Sequence, residues 1–183
     1  MEMNEKEIKK LRQKVSLLRS EGKYQETIEE GYRLLQIGQE TEDYKSILVA
    51  EINMAASFYC IGAIPEAFQC LGTYEDICRT HGDEEDYLNL YNILFLLYEY
   101  LKDFQKAKET LEKSVNLGEK LEKWNIVSNA FSNYSHICIM EEDYGRALEM
   151  GRLGLAAAKR HEPKSVILEF RVKLNIVLSL IRL

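Results

Sequence analysis

The sequence of 183 residues is 46% hydrophobic and 30% charged, which is the composition of a folded globular domain and not of a disordered chain. Its formal net charge of −6 argues against a nucleic-acid-binding surface, which normally carries a basic stripe. The most apolar runs, 93–98 and 176–181, are too short to cross a bilayer, and the charged segment 1–14 lacks the apolar centre of a signal peptide. We therefore expect no nucleic acid and no membrane as partners of this segment.

The cysteines indicate a reducing compartment. They form neither a C-x-x-C pair nor the spacing of metal ligands, and each lies in a helical apolar pattern, where single cysteines are usually buried thiols. Such thiols are typical of proteins kept reduced, so we expect a cytoplasmic localisation. The residues concerned are Cys60, Cys70, Cys78 and Cys138.

In chain order, one short pattern returns at equal intervals: a large residue follows a turn, and a small residue lies three positions further on. Four copies in one register predict an array of repeats. The large residues are Tyr24, Ile64, Phe104 and Tyr144, and the small ones are Thr27, Ala67, Ala107 and Ala147.

Between these positions, apolar residues recur at spacings of three and four, which predicts helices throughout. No segment alternates as a strand would, and no hairpin turn sequence is present. Each unit is predicted to hold two helices of about sixteen residues, joined by turns such as "SEGK" and "IGAI". The predicted units are 4–42, 43–82, 83–122 and 123–162, followed by a final helix over 164–183.

The pairing of small and aromatic positions has a mechanical reason, because two antiparallel helices can approach closely only where a side chain is short. The pattern resembles the tetratricopeptide repeat (TPR) family, whose first helix carries a large residue and then a small–aromatic pair, and whose second helix carries an early alanine. The matching residues are Glu51, Met54, Ala55, Phe58, Ile64 and Ala67; Tyr91, Leu94, Phe95, Tyr98, Phe104 and Ala107; and Phe131, Tyr134, Ser135, Cys138, Tyr144 and Ala147.

The repeat, at about 40 residues, is longer than the family's usual length of about 34 residues. In this it is similar to the long repeats of bacterial peptide-sensing and signalling regulators. The resemblance implies an all-α fold: a right-handed α-α superhelix, or TPR-like solenoid, with four helix-pair repeats and a C-terminal helix.

The resemblance also implies a binding surface, because the first helix of each unit lines the concave face that such proteins use. Asparagines converge there, and an asparagine can both donate to and accept from a peptide backbone. The alternative is that they are ordinary polar residues on a solvated helix face. The predicted peptide-binding residues are Asn53, Asn89, Asn92, Asn129, Asn133, His136, Tyr59, Tyr100 and Arg12.

The last helix is apolar on nearly all sides, whereas a terminal helix usually turns a polar face outward. Two explanations remain open, and they can coexist: the chain is a fragment of a longer protein, or this helix packs against a second copy to form a homodimer. The candidate oligomerisation residues are Phe170, Leu174, Val177 and Leu180.

No catalytic or metal-binding motif is found: the three histidines lie in different units, and no glycine-rich phosphate loop or nucleophile elbow is present. We therefore expect no enzyme activity, no cofactor and no metal. The sequence predicts a protein- or peptide-binding TPR module, acting as the N-terminal sensory or regulatory segment of a bacterial cytoplasmic signalling protein. The alternative is a dimerisation module that uses the last helix and has no specific ligand in the groove.

Overall fold

A computed structural model describes residues 4–183. Within this range every regular element is an α-helix, and consecutive helices pack on each other as pairs. The predicted all-α fold class of four helix pairs and a final helix is thereby confirmed. The helices are α1 (Glu5–Ser20), α2 (Tyr24–Thr41), α3 (Tyr44–Cys60), α4 (Ile64–His81), α5 (Glu84–Tyr100), α6 (Phe104–Lys120), α7 (Trp124–Met140), α8 (Tyr144–Arg160) and α9 (Val166–Arg182).

The turn inside each pair has one residue with a left-handed backbone, and these residues repeat at the same interval as the side-chain pattern. Their φ angles lie between 57° and 81°. Glycine adopts this conformation without a steric cost, whereas Lys and Glu do not. The four residues are Gly22, Gly62, Lys102 and Glu142. The repeat that the sequence shows in its side chains is therefore present in the backbone as well.

The small residue three positions after each large turn residue is fully buried. Thr27, Ala67, Ala107 and Ala147 are all 0% exposed. A buried threonine hydroxyl needs a partner, and Thr27 donates its hydroxyl to the carbonyl of Lys23 one turn earlier, at 2.8 Å. Full burial in all four units agrees with the prediction that this position requires a short side chain.

The two helices of a pair are also joined at the end away from the turn. The ring of Tyr44, at the start of α3, stacks on His81 at the end of α4 with the ring centroids 3.5 Å apart. Two repeats later, Trp124 at the start of α7 lies under the guanidinium of Arg160, which is 3.4 Å from the ring centroid. Aromatic stacking and a cation–π contact thus occupy equivalent places in two pairs.

The chain divides into two compact units, with the boundary between Ile93 and Leu94 inside α5. In the first unit, α2 packs on α3 through Gly31, where an added Cβ would lie 2.5 Å from Met54. In the second unit, α8 packs on both α7 and α9. There, a Cβ on Gly151 would lie 2.8 Å from Ile176 of α9.

The predicted last helix is α9, which begins at Val166, where Ser165 caps it by accepting from the amide of Leu168 at 3.3 Å. One face of α9 is buried against α7 and α8 through Leu168, Val172, Asn175 and Ser179. The opposite face remains exposed. Its exposed apolar residues are Val166, Ile167, Phe170, Leu174, Val177, Leu178, Leu180 and Ile181.

Among residues 4–183, no helix combines the length and the hydropathy that spanning a membrane would require.

Candidate functional site

The first unit contains a cleft of about 270 Å³ on the face formed by α1, α3 and the start of α5. It includes three of the asparagines that the sequence singles out, on two different helices. The lining residues are Ser16, Arg19, Val49, Ile52, Asn53, Ala56, Asn89, Asn92 and Ile93. The structure therefore brings Asn53, Asn89 and Asn92 together within this unit.

An arginine and a buried asparagine hold each other at one end of this cleft. The Arg19 Nε donates to Oδ1 of Asn53 at 2.8 Å, and Nδ2 of Asn53 donates to the carbonyl of Val49 at 2.7 Å. Asn53 is 6% exposed, so both ends of its amide are used inside the protein. Asn53 fixes the position of a guanidinium in the cleft, which adds a positive charge that the sequence interpretation did not include among the binding residues.

The two asparagines of α5 are exposed. Asn89 donates to the hydroxyl of Tyr74 in α4, and that hydroxyl donates in turn to the carbonyl of Asp86 at 3.1 Å. Burial is the main reason that the pKa of Tyr74 is raised well above its usual value. The neutral phenol therefore anchors Asn89 on one side, while Asn92 extends the polar edge of the cleft.

Apart from Ser16, the remaining lining of the cleft is apolar. Val49, Ile52, Ala56 and Ile93 form its sides next to the polar groups. With five polar residues among nine, the cleft is more polar than a usual small-molecule site, which is mainly apolar. A peptide segment has both kinds of surface, since its backbone needs hydrogen bonds and its side chains can fill apolar space.

A second depression, of about 560 Å³, continues along α1 and the start of α3. Arg12, a predicted binding residue, lies here and forms an ion pair with Asp43 at 3.2 Å. Asp43 also caps α3 by accepting from the backbone amide and the hydroxyl of Ser46. The Arg12 guanidinium therefore ties α1 to the beginning of α3. Lys9 and Lys45 add positive charge to the rim of the depression.

In the second unit, the predicted Asn129 and Asn133 lie one turn apart on α7, and both bind the same arginine of α9. Arg171 donates to Oδ1 of Asn129 at 3.1 Å and to Oδ1 of Asn133 at 3.2 Å. His136 is exposed on the same helix. Of the predicted tyrosines, Tyr59 is half-buried in α3 and Tyr100 is 59% exposed at the end of α5.

The predicted binding set thus omits two arginines, Arg19 and Arg171, that the structure shows in contact with predicted asparagines. A positional signal exists for Arg171. Arg171 lies as far from the start of α9 as Asn129 lies from the start of α7. The two residues therefore occupy equivalent positions in their helices. A strict 40-residue repeat would instead have aligned Asn129 with the residue two positions before Arg171.

Across residues 4–183, no group of three or more His, Cys, Asp or Glu side chains is arranged to hold a metal ion. The lining of the two clefts provides hydrogen-bonding groups and apolar surface. By its fold, the chain belongs to the class of all-α proteins built from consecutively packed helix pairs.

No protein-family model matches the sequence, and no curated protein matches it at a significant level. Among solved structures, it is similar to the crystal structure of BtubC (BKLC) from P. vanneervenii, with a TM-score of 0.59 and 13% sequence identity. The similarity covers 96% of this chain and 88% of that one. At this identity, the likeness concerns the fold, and it extends over nearly the whole helical array.

Proposed function

We propose that this chain is a protein- or peptide-binding module of the tetratricopeptide-repeat type, and that its ligand occupies the cleft of the first unit. The observation that carries the proposal is the lining of this cleft, where Arg19, Asn89 and Asn92 lie beside Val49 and Ile52. The polar groups suit a peptide backbone and the apolar side chains suit its residues. The constant repeat register, present in side chains and turns alike, supports the assignment to this class of repeat.

We further propose that the module is the N-terminal sensory or regulatory segment of a bacterial cytoplasmic signalling protein and has no enzyme activity of its own. The support is the similarity of its long repeats to those of peptide-sensing regulators, together with four cysteines that form no disulfide. In this role, ligand binding would alter the contacts that the module makes with other parts of the signalling protein.

The test is selection from a random peptide display library, followed by affinity measurement on the selected peptides. The variant Asn89→Ala/Asn92→Ala removes two exposed amides from the cleft, and we expect it to lower affinity by roughly tenfold, since each lost hydrogen bond contributes about 0.5–1.5 kcal/mol. Both residues are exposed, so helicity and melting temperature should change little.

Asn116→Ala is the matched control, because Asn116 is an exposed asparagine of α6 and lies outside the cleft. This control should bind the selected peptides as the unmodified protein does. The proposal is contradicted if selection yields no binder, or if the double variant binds every selected peptide with unchanged affinity.

Self-assembly through α9 is the second candidate function, and the exposed apolar face of that helix favours it. When the starts of α7 and α9 are aligned, Phe170 and Val177 are equivalent to Ser128 and Ser135. Both serines are 0% exposed, and Ser135 donates to the carbonyl of Ala147 in α8 at 2.7 Å. Phe170 and Val177, which are 65% and 50% exposed, therefore occupy positions where a neighbouring helix packs on α7.

If a second copy covers this face, Val177→Glu/Leu180→Glu should convert a dimer into a monomer. Burying a charge in such an interface is costly, and about 800 Å² per partner is typical of a stable complex. Molar mass by light scattering over a range of concentrations measures the effect. Arg182→Glu, at the exposed end of the same helix, is the control for a change of charge. A monomeric unmodified protein would exclude this function.

A further inference from the structure

Arg171 is held by the side-chain amides of two asparagines. Its guanidinium donates to two amide oxygens, Oδ1 of Asn129 and Oδ1 of Asn133. These acceptors are neutral, so they orient the guanidinium without cancelling its charge. Among the ion pairs within residues 4–183, none involves Arg171.

Several other arginines pair with carboxylates, whereas Arg19 is held, like Arg171, by an asparagine oxygen. Arg12 pairs with Asp43 at 3.2 Å, and Arg146 pairs with Glu149 at 2.8 Å. On α9 itself, Lys173 pairs with Glu169 at 2.7 Å, which leaves Arg171 as the neighbouring cation with neutral partners. An arginine held by amides in a chain with a net charge of −6 is a local positive site on an acidic protein.

The contact with Arg171 also changes what the two asparagines can offer a ligand. A free asparagine both donates and accepts, but here each Oδ1 already accepts from the guanidinium. The groups that remain for a ligand are the two Nδ2 amides, the other N–H groups of the guanidinium and a second lone pair on each Oδ1. Most of these groups are donors. A ligand group that accepts hydrogen bonds therefore fits best, and the unpaired charge favours an anion.

We propose that Arg171, Asn129 and Asn133 form a carboxylate-binding site on the face shared by α7 and α9. The carboxylate belongs to a peptide, either as an Asp or Glu side chain or as the C-terminal group. A guanidinium matches the two oxygens of a carboxylate in geometry, and charge-assisted hydrogen bonds are about twice as strong as neutral ones. The inference rests on the proposed peptide-binding function, but it does not depend on the first-unit cleft.

The experiment follows the side-chain amide NMR signals of Asn129 and Asn133 while the full chain is titrated with synthetic peptides. The first peptide is acetylated, amidated and contains two glutamates. The second has glutamines in their place. The third is the glutamine peptide with a free C-terminal carboxylate. Together they separate a side-chain carboxylate from a terminal one.

We expect the signals of Asn129 and Asn133 to shift saturably with the first or the third peptide, and not with the second. The peptide that causes the shift identifies the source of the carboxylate. Because the site is exposed, the affinity should fall as salt is added. Absence of any saturable shift with both carboxylate-bearing peptides would overturn the inference.

Two variants test the role of the charge. Arg171→Gln removes it and should lower the affinity by about tenfold or more, whereas Arg171→Lys should retain part of the binding, since it keeps the charge and loses the planar fork. Asn129→Asp places a carboxylate next to the guanidinium and should weaken binding as much as Arg171→Gln, although Arg171 is still present. Undiminished binding by Asn129→Asp would contradict the proposal.

Arg152→Gln is the matched control, because it removes one positive charge from an exposed position on α8. If it weakens binding as strongly as Arg171→Gln, general charge attraction explains the data and the inference fails. The signals of Asn89 and Asn92 report separately on the first-unit cleft. Shifts confined to those signals would support the proposed function and overturn this inference. Shifts confined to Asn129 and Asn133 would support this inference and peptide binding, and would contradict the first-unit cleft as the place of the ligand.

Discussion

Glu51 places a carboxyl group inside the first unit, on α3, where the side chain is only 4% exposed. Its partner is the thiol of Cys70 in α4, which donates to the carboxylate. Burial raises the pKa of Glu51, and the hydrogen bond from Cys70 opposes that shift only in part. In the other three units, the equivalent position of the repeat is occupied by Leu11, Tyr91 and Phe131. Glu51 is therefore an acid at a position that otherwise holds a large apolar or aromatic residue.

The raised pKa predicts how stability depends on pH. A carboxyl group with a higher pKa in the folded than in the unfolded state contributes stability below its unfolded pKa, and that contribution is lost as the pH rises through the folded pKa. Glu51→Gln should therefore be more stable than the unmodified protein at pH 7, by about 1.4 kcal/mol for each pH unit between the two pKa values. Urea unfolding at pH 7 and at pH 4 measures the difference.

The gain from Glu51→Gln should shrink toward zero at pH 4, because the carboxyl group of the unmodified protein is then largely protonated in the folded state. Glu109→Gln, an exposed glutamate of α6, is the control and should have little effect at either pH. Equal stabilisation by Glu51→Gln at both pH values would show that the ionised carboxylate is not its cause.

The asparagines show which features of the candidate site can be predicted from the sequence and which cannot. Repeat spacing identified Asn53 and Asn133 as residues of the first helices, because position within a repeat is a matter of counting. Their hydrogen bonds to Arg19 and Arg171 depend on side-chain geometry between helices that are distant in the chain, which counting does not provide. The sequence thus predicted where these polar groups lie, but not which of their atoms remain available.

At the scale of the helix, apolar periodicity was sufficient to predict every helix, because each one has a buried face against a neighbour. The turns were located by the same register, with glycine at Gly22 and Gly62. Lys102 and Glu142 adopt the same left-handed conformation without glycine's freedom, so packing of the adjoining helices determines the turn there. Local sequence alone would have missed that conformation.

The start of α9 shows the limit of a register argument. The segment between α8 and α9 extends from His161 to Ser165, whereas only 121–123 separate α6 from α7. A proline at position 163 and the Ser165 cap together favour a helix that begins at Val166. The extra residues shift every following position, which is why Arg171 was not aligned with Asn129 from the sequence.

At the scale of the whole molecule, helices contact helices that are near in the chain. In the first unit α1 contacts α2 and α3, and in the second unit α8 contacts α7 and α9. In repeat proteins, stability is then approximately a sum over neighbouring contacts. A substitution in one contact should therefore loosen the adjacent helix more than distant ones.

Two glycines of second helices, Gly151 and Gly72, allow this to be tested with the same substitution. A Cβ at Gly151 would lie 2.8 Å from Cγ1 of Ile176, whereas a Cβ at Gly72 would meet no atom within 4 Å. Gly72→Ala should raise the free energy of unfolding by about 0.5–1 kcal/mol, because alanine favours the helix. Gly151→Ala should lower it by about 1 kcal/mol, since overpacking outweighs that gain.

Hydrogen exchange would locate the effect of Gly151→Ala. Because the new methyl group pushes against Ile176, the amides of α9 should exchange faster, while those of α1 and α2 should keep their rates. Gly72→Ala should not accelerate any of these amides. Uniformly faster exchange in all helices of the Gly151→Ala variant would mean that the chain unfolds as one cooperative body, and the sum over neighbouring contacts would then be the wrong description of its stability.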